Sequence, residues 1–296
     1  MNIDEPYQNH SNFNYSHKGY AYKSIIKIII LYLFGGLCLS IIQFTFLKSD
    51  SEQIFSIYSQ GILQILLLLL PTLFFARRAL LPTSVLFRKK TSVNSIQISA
   101  GIIGILAFQL FATGYTVLQE KIIPDFLFQY YKEIEETIEN MYIKLLGGSG
   151  FSDLARALLI GSLIPAISEE TLFRGFLQSS LEQDYKPHKA IIITALIFSI
   201  LHLNPTGLIP LIFIGLFLGF VAWSTNNLIL PMIIHFVNNT FAIIIIFSPQ
   251  LTTIENQISD VSLFTGILLL AFGLIVLLIS CFIIFFESKF KKIASI

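Results

Sequence analysis

Two adjacent carboxylates, Glu169 and Glu170, share an apolar run with a guanidinium: Pro165-Ala166-Ile167-Ser168-Glu169-Glu170-Thr171-Leu172-Phe173-Arg174. A charge at bilayer depth costs roughly 2.5 to 3.5 kcal/mol on insertion scales, so a charge kept there marks a functional site by default. Glu170 and Arg174 are four residues apart, on one helical face and within pairing reach, while Glu169 is turned about 100° away. One glutamate has a partner built into its own helix and the other does not. A carboxylate without a counter-ion in an apolar setting is suited to take a proton as a general base. The plainer reading is a Glu–Arg pair at a helix end beside a snorkelling neighbour. Pro165, one turn earlier, should deprive a carbonyl near Gly161 of its helical donor and kink the helix.

Two further segments carry polar chemistry. Phe198-Ser199-Ile200-Leu201-His202 precedes Asn204-Pro205, which should end a helix, and His235-Phe236-Val237-Asn238-Asn239 sets His235 and Asn239 on one face of another. Asn238 falls off that face and suits a helix–helix hydrogen bond. A single histidine in such a place is most often a packing residue. Three separate helices supplying Glu, His, and His with Asn to one interior make a set that can act together. His10, His17 and His188 lie in a tail or a connection and are expected to be solvated.

The elements that must hold these groups are membrane helices. The chain is 54% hydrophobic and 12% charged, where soluble domains carry about 25% charged residues. A net charge of +1, without a basic stripe, argues against nucleic acid as a partner. The two cysteines, Cys38 and Cys281, sit in apolar runs as small hydrophobes and form no disulfide framework. Runs long enough to cross about 30 Å of hydrocarbon fall at 24–47, 54–76, 95–118, 152–176, 188–204, 207–224, 228–247 and 262–286. The fold class is therefore all-α, a polytopic transmembrane bundle of about eight spans around a buried polar site.

Orientation follows from the cytoplasmic excess of Lys and Arg. Lys18, Lys23 and Lys27 flank the first span; Arg77, Arg78, Arg88, Lys89 and Lys90 follow the second; Lys186 and Lys189 follow the fourth; Lys289, Lys291 and Lys292 end the chain. The opposite side has Lys48, Lys121, Lys132 and Lys144 beside Glu133, Glu135, Glu136 and Glu139. Both termini should be cytoplasmic, which requires an even number of spans. On these bounds Glu169 and His235 stand roughly 10 Å above their cytoplasmic helix ends, and His202 roughly 20 Å above its own. The acidic connection from Gln119 to Gly150 can carry a short amphipathic helix, its Gly147-Gly148-Ser149-Gly150 run serving as a flexible lead-in to the fourth span. Trp223 reads as an interfacial anchor. The organisation expected is a disordered cytoplasmic tail at 1–20, spans and the acidic connection at 21–150, a catalytic core at 151–248, and a last span with a basic tail at 249–296.

Glu-Glu-x-x-x-Arg at 169–174, Phe-x-x-x-His at 198–202 and His-x-x-x-Asn at 235–239 resemble, in order and on separate spans, the motifs of the CPBP family of intramembrane endopeptidases. That family includes the type II CAAX prenyl proteases and the bacterial Abi or bacteriocin-immunity proteins. The patterned region, 150–240, is under a third of the chain. The resemblance implies that Glu169 and His202 activate water and that His235 and Asn239 stabilise the tetrahedral oxyanion, with Phe198 as a motif position. It implies that Glu170 with Arg174 orients the helix or the carboxyl end of the substrate. The family's metalloprotease label would make Glu169, His202 and His235 a zinc set with an open position. No His-Glu-x-x-His helix is present, and the metal-free glutamate mechanism is preferred.

The expected activity is hydrolysis of a peptide bond in a membrane-associated or lipidated peptide or protein, in a multi-pass protein of the plasma membrane. The competing classes are a non-catalytic immunity or scaffold protein of the same fold, and a proton-coupled transporter using Glu169 and Glu170 as its ion site. Transporters of that kind often show internal repeats with broken helices in both halves, and here the polar groups are confined to the second half.

Overall fold

The computed structural model describes residues 16–46, 49–89, 91–248 and 261–294. The tail before residue 16, Lys48, Lys90, and 249–260 of the last expected segment lie outside the described residues. Among the described residues the chain is helical without strands: α1 His17–Phe46, α2 Phe55–Arg78, α3 Ser95–Ile122, α4 Asp125–Leu146, α5 Phe151–Asp184, α6 Pro187–Leu201, α7 Leu208–Thr225, α8 Ile229–Phe247 and α9 Leu263–Ala294. Seven of these (α1, α2, α3, α5, α7, α8 and α9) are long and apolar enough to cross a membrane, and α6 is a shorter apolar helix of 15 residues. At 1.5 Å per residue α6 is about 22 Å long, so the fifth expected span stops short of the hydrocarbon thickness. It ends where the sequence says it must, at His202 before Asn204-Pro205. The protein is a polytopic all-α membrane bundle.

Three boundaries differ from the sequence reading. The first helix begins at His17, inside the segment expected to be tail, because its start is held: the Asp184 carboxylate accepts from the Lys18 backbone N–H at 2.7 Å and from the Ser16 hydroxyl at 3.0 Å. The acidic connection forms a 22-residue helix, α4, longer than expected. The fourth span does not stop at 176 but continues as helix to Asp184. Hydropathy reports where a helix leaves lipid, whereas this helix continues past that point with its final turns packed on α1 and with Arg88 bonded to Glu182 at 2.9 Å.

Two helices bend by the same device. In α2 a π-helical stretch, Gln64–Leu69, runs up to Pro71, and in α5 another, Leu158–Leu163, runs up to Pro165. A mid-helix proline removes the bond to the carbonyl four residues back, and widening the preceding turn accommodates the loss. A third π-helical stretch, Thr171–Gln178, follows the two glutamates, so Glu169 and Glu170 sit on a short α-helical segment between widened turns.

Small residues let the helices approach closely. Gly215 and Gly219 of α7 face Ala195 and Ile191 of α6, and a Cβ at Gly215 would stand 3.0 Å from that of Ala195. The α3–α9 seam is tighter, since a Cβ at Gly273 would fall 2.5 Å from the Phe111 backbone nitrogen. No Gly-x-x-x-Gly face for association stood out in the sequence; the Gly215/Gly219 pair has that spacing and is spent on packing within the chain.

Candidate active site

Glu170 and Arg174 pair as their spacing requires, with Nη1 donating to Oε1 at 2.7 Å, and both side chains are 0% exposed. Arg174 Nη2 also donates to the Gly215 carbonyl at 3.2 Å, and its guanidinium lies 4.5 Å from the centroid of the Phe198 ring. One turn on, Gln178 Nε2 donates to the Gly219 carbonyl at 2.9 Å. These bonds lock α5 to α7, with the glycines clearing room for the incoming side chains. The same Glu170 oxygen stands 2.8 Å from His235 Nδ1. A carboxylate only accepts, so Nδ1 is the donor and the imidazole is oriented with Nε2 pointing on. Both side chains are fully buried and are bonded to α7 and to His235, an arrangement that suits the expected role of orienting the helix better than contact with a substrate's carboxyl end.

Glu169 faces the other way, as its 100° offset dictates. Its Oε1 accepts from Gln64 Nε2 of α2 at 3.2 Å. Its Oε2 stands 3.9 Å from His202 Nε2 and 3.9 Å from His235 Nε2, and this buried oxygen has no hydrogen-bond partner among the described residues. His202 is fixed from behind, with Nδ1 2.7 Å from the Phe198 carbonyl. Since a carbonyl only accepts, that nitrogen carries the proton, and the neutral ring presents the Nε2 lone pair toward Glu169. Phe198 backs the cluster: its ring centroid lies 4.4 Å from that of His202, 6.1 Å from that of His235 and 5.2 Å from that of Phe173.

The depth difference expected from the span boundaries disappears once α5 is followed to Asp184. Glu169 stands fifteen residues before Asp184 and His202 fifteen after Pro187, on the two arms of one hairpin, so both lie roughly 20 Å from its turn. His235, six residues into α8, meets the same point, with its Nε2 3.9 Å from Glu169 Oε2.

Asn239 lies one turn beyond His235, and its Nδ2 donates to the Gly161 carbonyl at 3.4 Å. That is the carbonyl that Pro165 was expected to orphan. Asn238 donates to Asn239 Oδ1 at 3.2 Å and accepts from Gln109 of α3 at 2.8 Å, the helix–helix bond its off-face position suggested. The structure thus joins Glu169, Glu170, Arg174, Phe198, His202 and His235 directly. Asn239 is tied to the cluster through α8 and Gly161.

Residues around Glu169 that carried no motif are Gln64, Ser168, Tyr32 and Tyr142. Gln64 of α2 is 6% exposed and sits one turn after Gln60, at the start of the apolar run that leads to Pro71, with no motif to single it out in the sequence. Tyr32 of α1 accepts from Gln60 at 3.0 Å and lies close enough to feel the Glu169 carboxylate. Tyr142 of α4 keeps 42% of its surface open, yet burial and then the Glu169 carboxylate push its phenol above the usual tyrosine range.

The donor set Glu169, His202 and His235 is of a kind that holds zinc, and both Nδ1 atoms have the back-bonding that such ligands use. The spacing does not fit. Ligand atoms 2.0 to 2.1 Å from a tetrahedral centre stand about 3.3 Å apart, whereas both imidazole nitrogens are 3.9 Å from the carboxylate oxygen. No group of three His, Cys, Asp or Glu side chains among the described residues is arranged to hold a metal ion.

A multi-pass helical bundle with a buried carboxylate–imidazole cluster contributed by three of its helices is the class of protein that the fold and site define. Residues 151–241 match the family model described as type II CAAX prenyl endopeptidase Rce1-like. A relative from Bacillus subtilis (strain 168), described as "Putative membrane peptidase YdiL", is 26% identical over 109 residues, which cover 37% of this chain and 45% of the relative. The match therefore spans less than half of that protein's length. No solved structure matches the chain. Both matches support a relationship to the CPBP family, and the matched segment contains every polar residue of the cluster that the motifs supply.

Proposed function

We propose that the chain is an intramembrane endopeptidase that cuts a membrane-associated or lipidated peptide or protein with water activated by Glu169 and His202. The observation that carries the reading is Glu169 Oε2, a buried oxygen without a partner among the described residues, 3.9 Å from an imidazole nitrogen on each side. A water there can donate one hydrogen to Oε2 and the other to the His202 lone pair, which aims its own lone pair at a scissile carbonyl. As the O–C bond forms, Glu169 takes the proton and the carbonyl oxygen gains the charge. His235 Nε2 and Asn239 Nδ2 are the donors for that oxygen. His235 can donate through Nε2 only while Nδ1, held by Glu170, also keeps its proton, so the working ring is the imidazolium. Collapse of the intermediate breaks the C–N bond, and the proton on Glu169 passes to the leaving amine.

No step in this scheme needs a metal, in keeping with the 3.9 Å spacing. The excess of Lys and Arg on one side supports both termini lying in the cytoplasm, which makes the short α6 the eighth crossing beside the seven longer helices; the plasma membrane is the location proposed. The test compares peptide termini of membrane and secreted proteins in host cells carrying wild type or Glu169→Gln at matched expression. Termini present only with wild type are expected and name the substrates. Identical termini in both would remove catalysis and leave the scaffold or immunity reading.

A further inference from the structure

Gln64 stands apart from the motif-bearing half of the chain, yet it supplies the one hydrogen bond that the Glu169 carboxylate accepts among the described residues. We propose that Gln64 is a positioning residue for Glu169, assigning the work of the base to Oε2 by occupying Oε1; the inference rests on the endopeptidase reading of the site. Two observations carry it. The amide nitrogen is 3.2 Å from Glu169 Oε1, and a carboxylate in its working, ionised form can only accept there. The amide's orientation is set by that carboxylate, and its oxygen lies 2.5 Å from the Ser168 hydroxyl, which can donate to it. A flipped amide would set its oxygen against the Glu169 carboxylate, where neither atom can donate, although Ser168 could accept from the flipped NH2 while donating to the Ile164 carbonyl.

The backbone around Gln64 fits the role. Gln64 opens the π-helical stretch ahead of Pro71, and Ser168 and Glu169 follow the matching stretch ahead of Pro165. The first widened stretch packs on the segment that carries the two glutamates, so the bond joins the two bends of the bundle. With Oε1 occupied, rotation of the carboxylate about its last torsion, which is otherwise broad and nearly two-fold, is stopped in one state. The oxygen left over is the one that faces both imidazoles. Gln64 does not touch the reacting atoms and acts only through Glu169.

The experiment uses the full chain in lipid nanodiscs. Subtracting the infrared spectrum of Glu169→Gln from that of wild type isolates the Glu169 carboxylate stretch. Gln64→Met, which keeps length and removes the donor, should shift and broaden that band, while Gln60→Leu one turn away should leave it in place. An unshifted band in Gln64→Met overturns the proposal, whatever the chain catalyses. In cells, Gln64→Met should slow the Glu169-dependent cleavages by about tenfold or more, the scale of a lost bond to a charged group. With a substrate from that profile the loss should fall on kcat and leave KM unchanged. Wild-type cleavage in Gln64→Met beside none in Glu169→Gln sinks the positioning role and keeps the endopeptidase. If no terminus depends on Glu169, the endopeptidase reading fails and the infrared band alone decides about Gln64. Should Gln64→Met not fold, Gln64→Asn takes its place, withdrawing the amide by about 1.5 Å with the polarity kept.

Discussion

His235 Nδ1 and Glu170 Oε1 are 2.8 Å apart in a place water does not reach. The contact gives the two neighbouring glutamates different duties. Each glutamate has one buried oxygen without a hydrogen-bond partner among the described residues, but Glu170 is tied through Oε1 to Arg174 and His235, whereas Glu169 Oε2 stands between two imidazole nitrogens at 3.9 Å.

That division predicts opposite outcomes for one chemical change. Glu170→Gln leaves the Arg174 guanidinium buried without a counter-charge, and breaking a buried pair on one side costs about 3 to 5 kcal/mol. Glu169→Gln removes a part-exposed carboxylate without an ion-pair partner at bonding distance, and should change stability by about 1 kcal/mol or less. Unfolding in mild detergent, followed by tryptophan fluorescence of Trp223, measures both. Equal losses would contradict the division.

Phe198 touches three members of the cluster, and it is 1% exposed. Phe198→Ala should cost about 3 to 5 kcal/mol through the cavity it leaves and should free His202 to turn. Phe198→Leu should keep most of the stability and still lose activity, because the ring beneath Arg174 is gone. The same unfolding assay with a cleavage assay separates the two effects.

Asn239 has two uses for one amide: the Gly161 carbonyl at 3.4 Å and the oxyanion. Asn239→Ala should lower kcat by about 10²- to 10³-fold, the scale of one oxyanion donor, with KM little changed. A loss confined to stability would reduce Asn239 to a cap on the carbonyl that Pro165 frees.

Chelation supplies a fourth outcome. Dialysis against a strong zinc chelator should leave cleavage unchanged, because each imidazole Nε2 stands 3.9 Å from the Glu169 oxygen, wider than zinc ligands stand from one another. Loss of activity restored by zinc would show that the cluster closes around a metal.

The α3–α9 seam offers a fifth. Gly273→Leu would drive a side chain into the Phe111 backbone, which cannot give way as a flexible side chain could. Overpacking of this kind costs about 1 to 3 kcal/mol or more, and the variant should accumulate poorly in the membrane while the mild change Gly36→Ala, where a Cβ meets nothing within 4 Å, should not.

The candidate site was legible in the sequence to the extent that it announces itself by type. Glu169, Glu170, Arg174, His202, His235 and Asn239 are polar residues where lipid depth forbids idle ones, and helical periodicity alone separates Glu169 from Glu170. Gln64 escaped because an amide in an apolar helix, with Gln60 a turn before it, is ambiguous until its partner is known, and that partner is 105 residues away. The burial of Glu170 escaped for a related reason, since periodicity assigns a face but not what covers it. The end of α5 was misplaced because hydropathy measures lipid contact, and the last turns of that helix are held by Asp184, Glu182 and Arg88 through hydrogen bonds instead.

The α5–α6 hairpin behaves as a ruler with equal arms. Because Glu169 and His202 are counted off from the same turn, tilting or sliding the hairpin as a body carries both along without parting them. Inserting a single residue in one arm would raise its reactive group by about 1.5 Å and swing it through about 100°. The number of residues on either side of the connection at Tyr185 and Lys186 is thus as constrained as the identity of the reactive residues themselves.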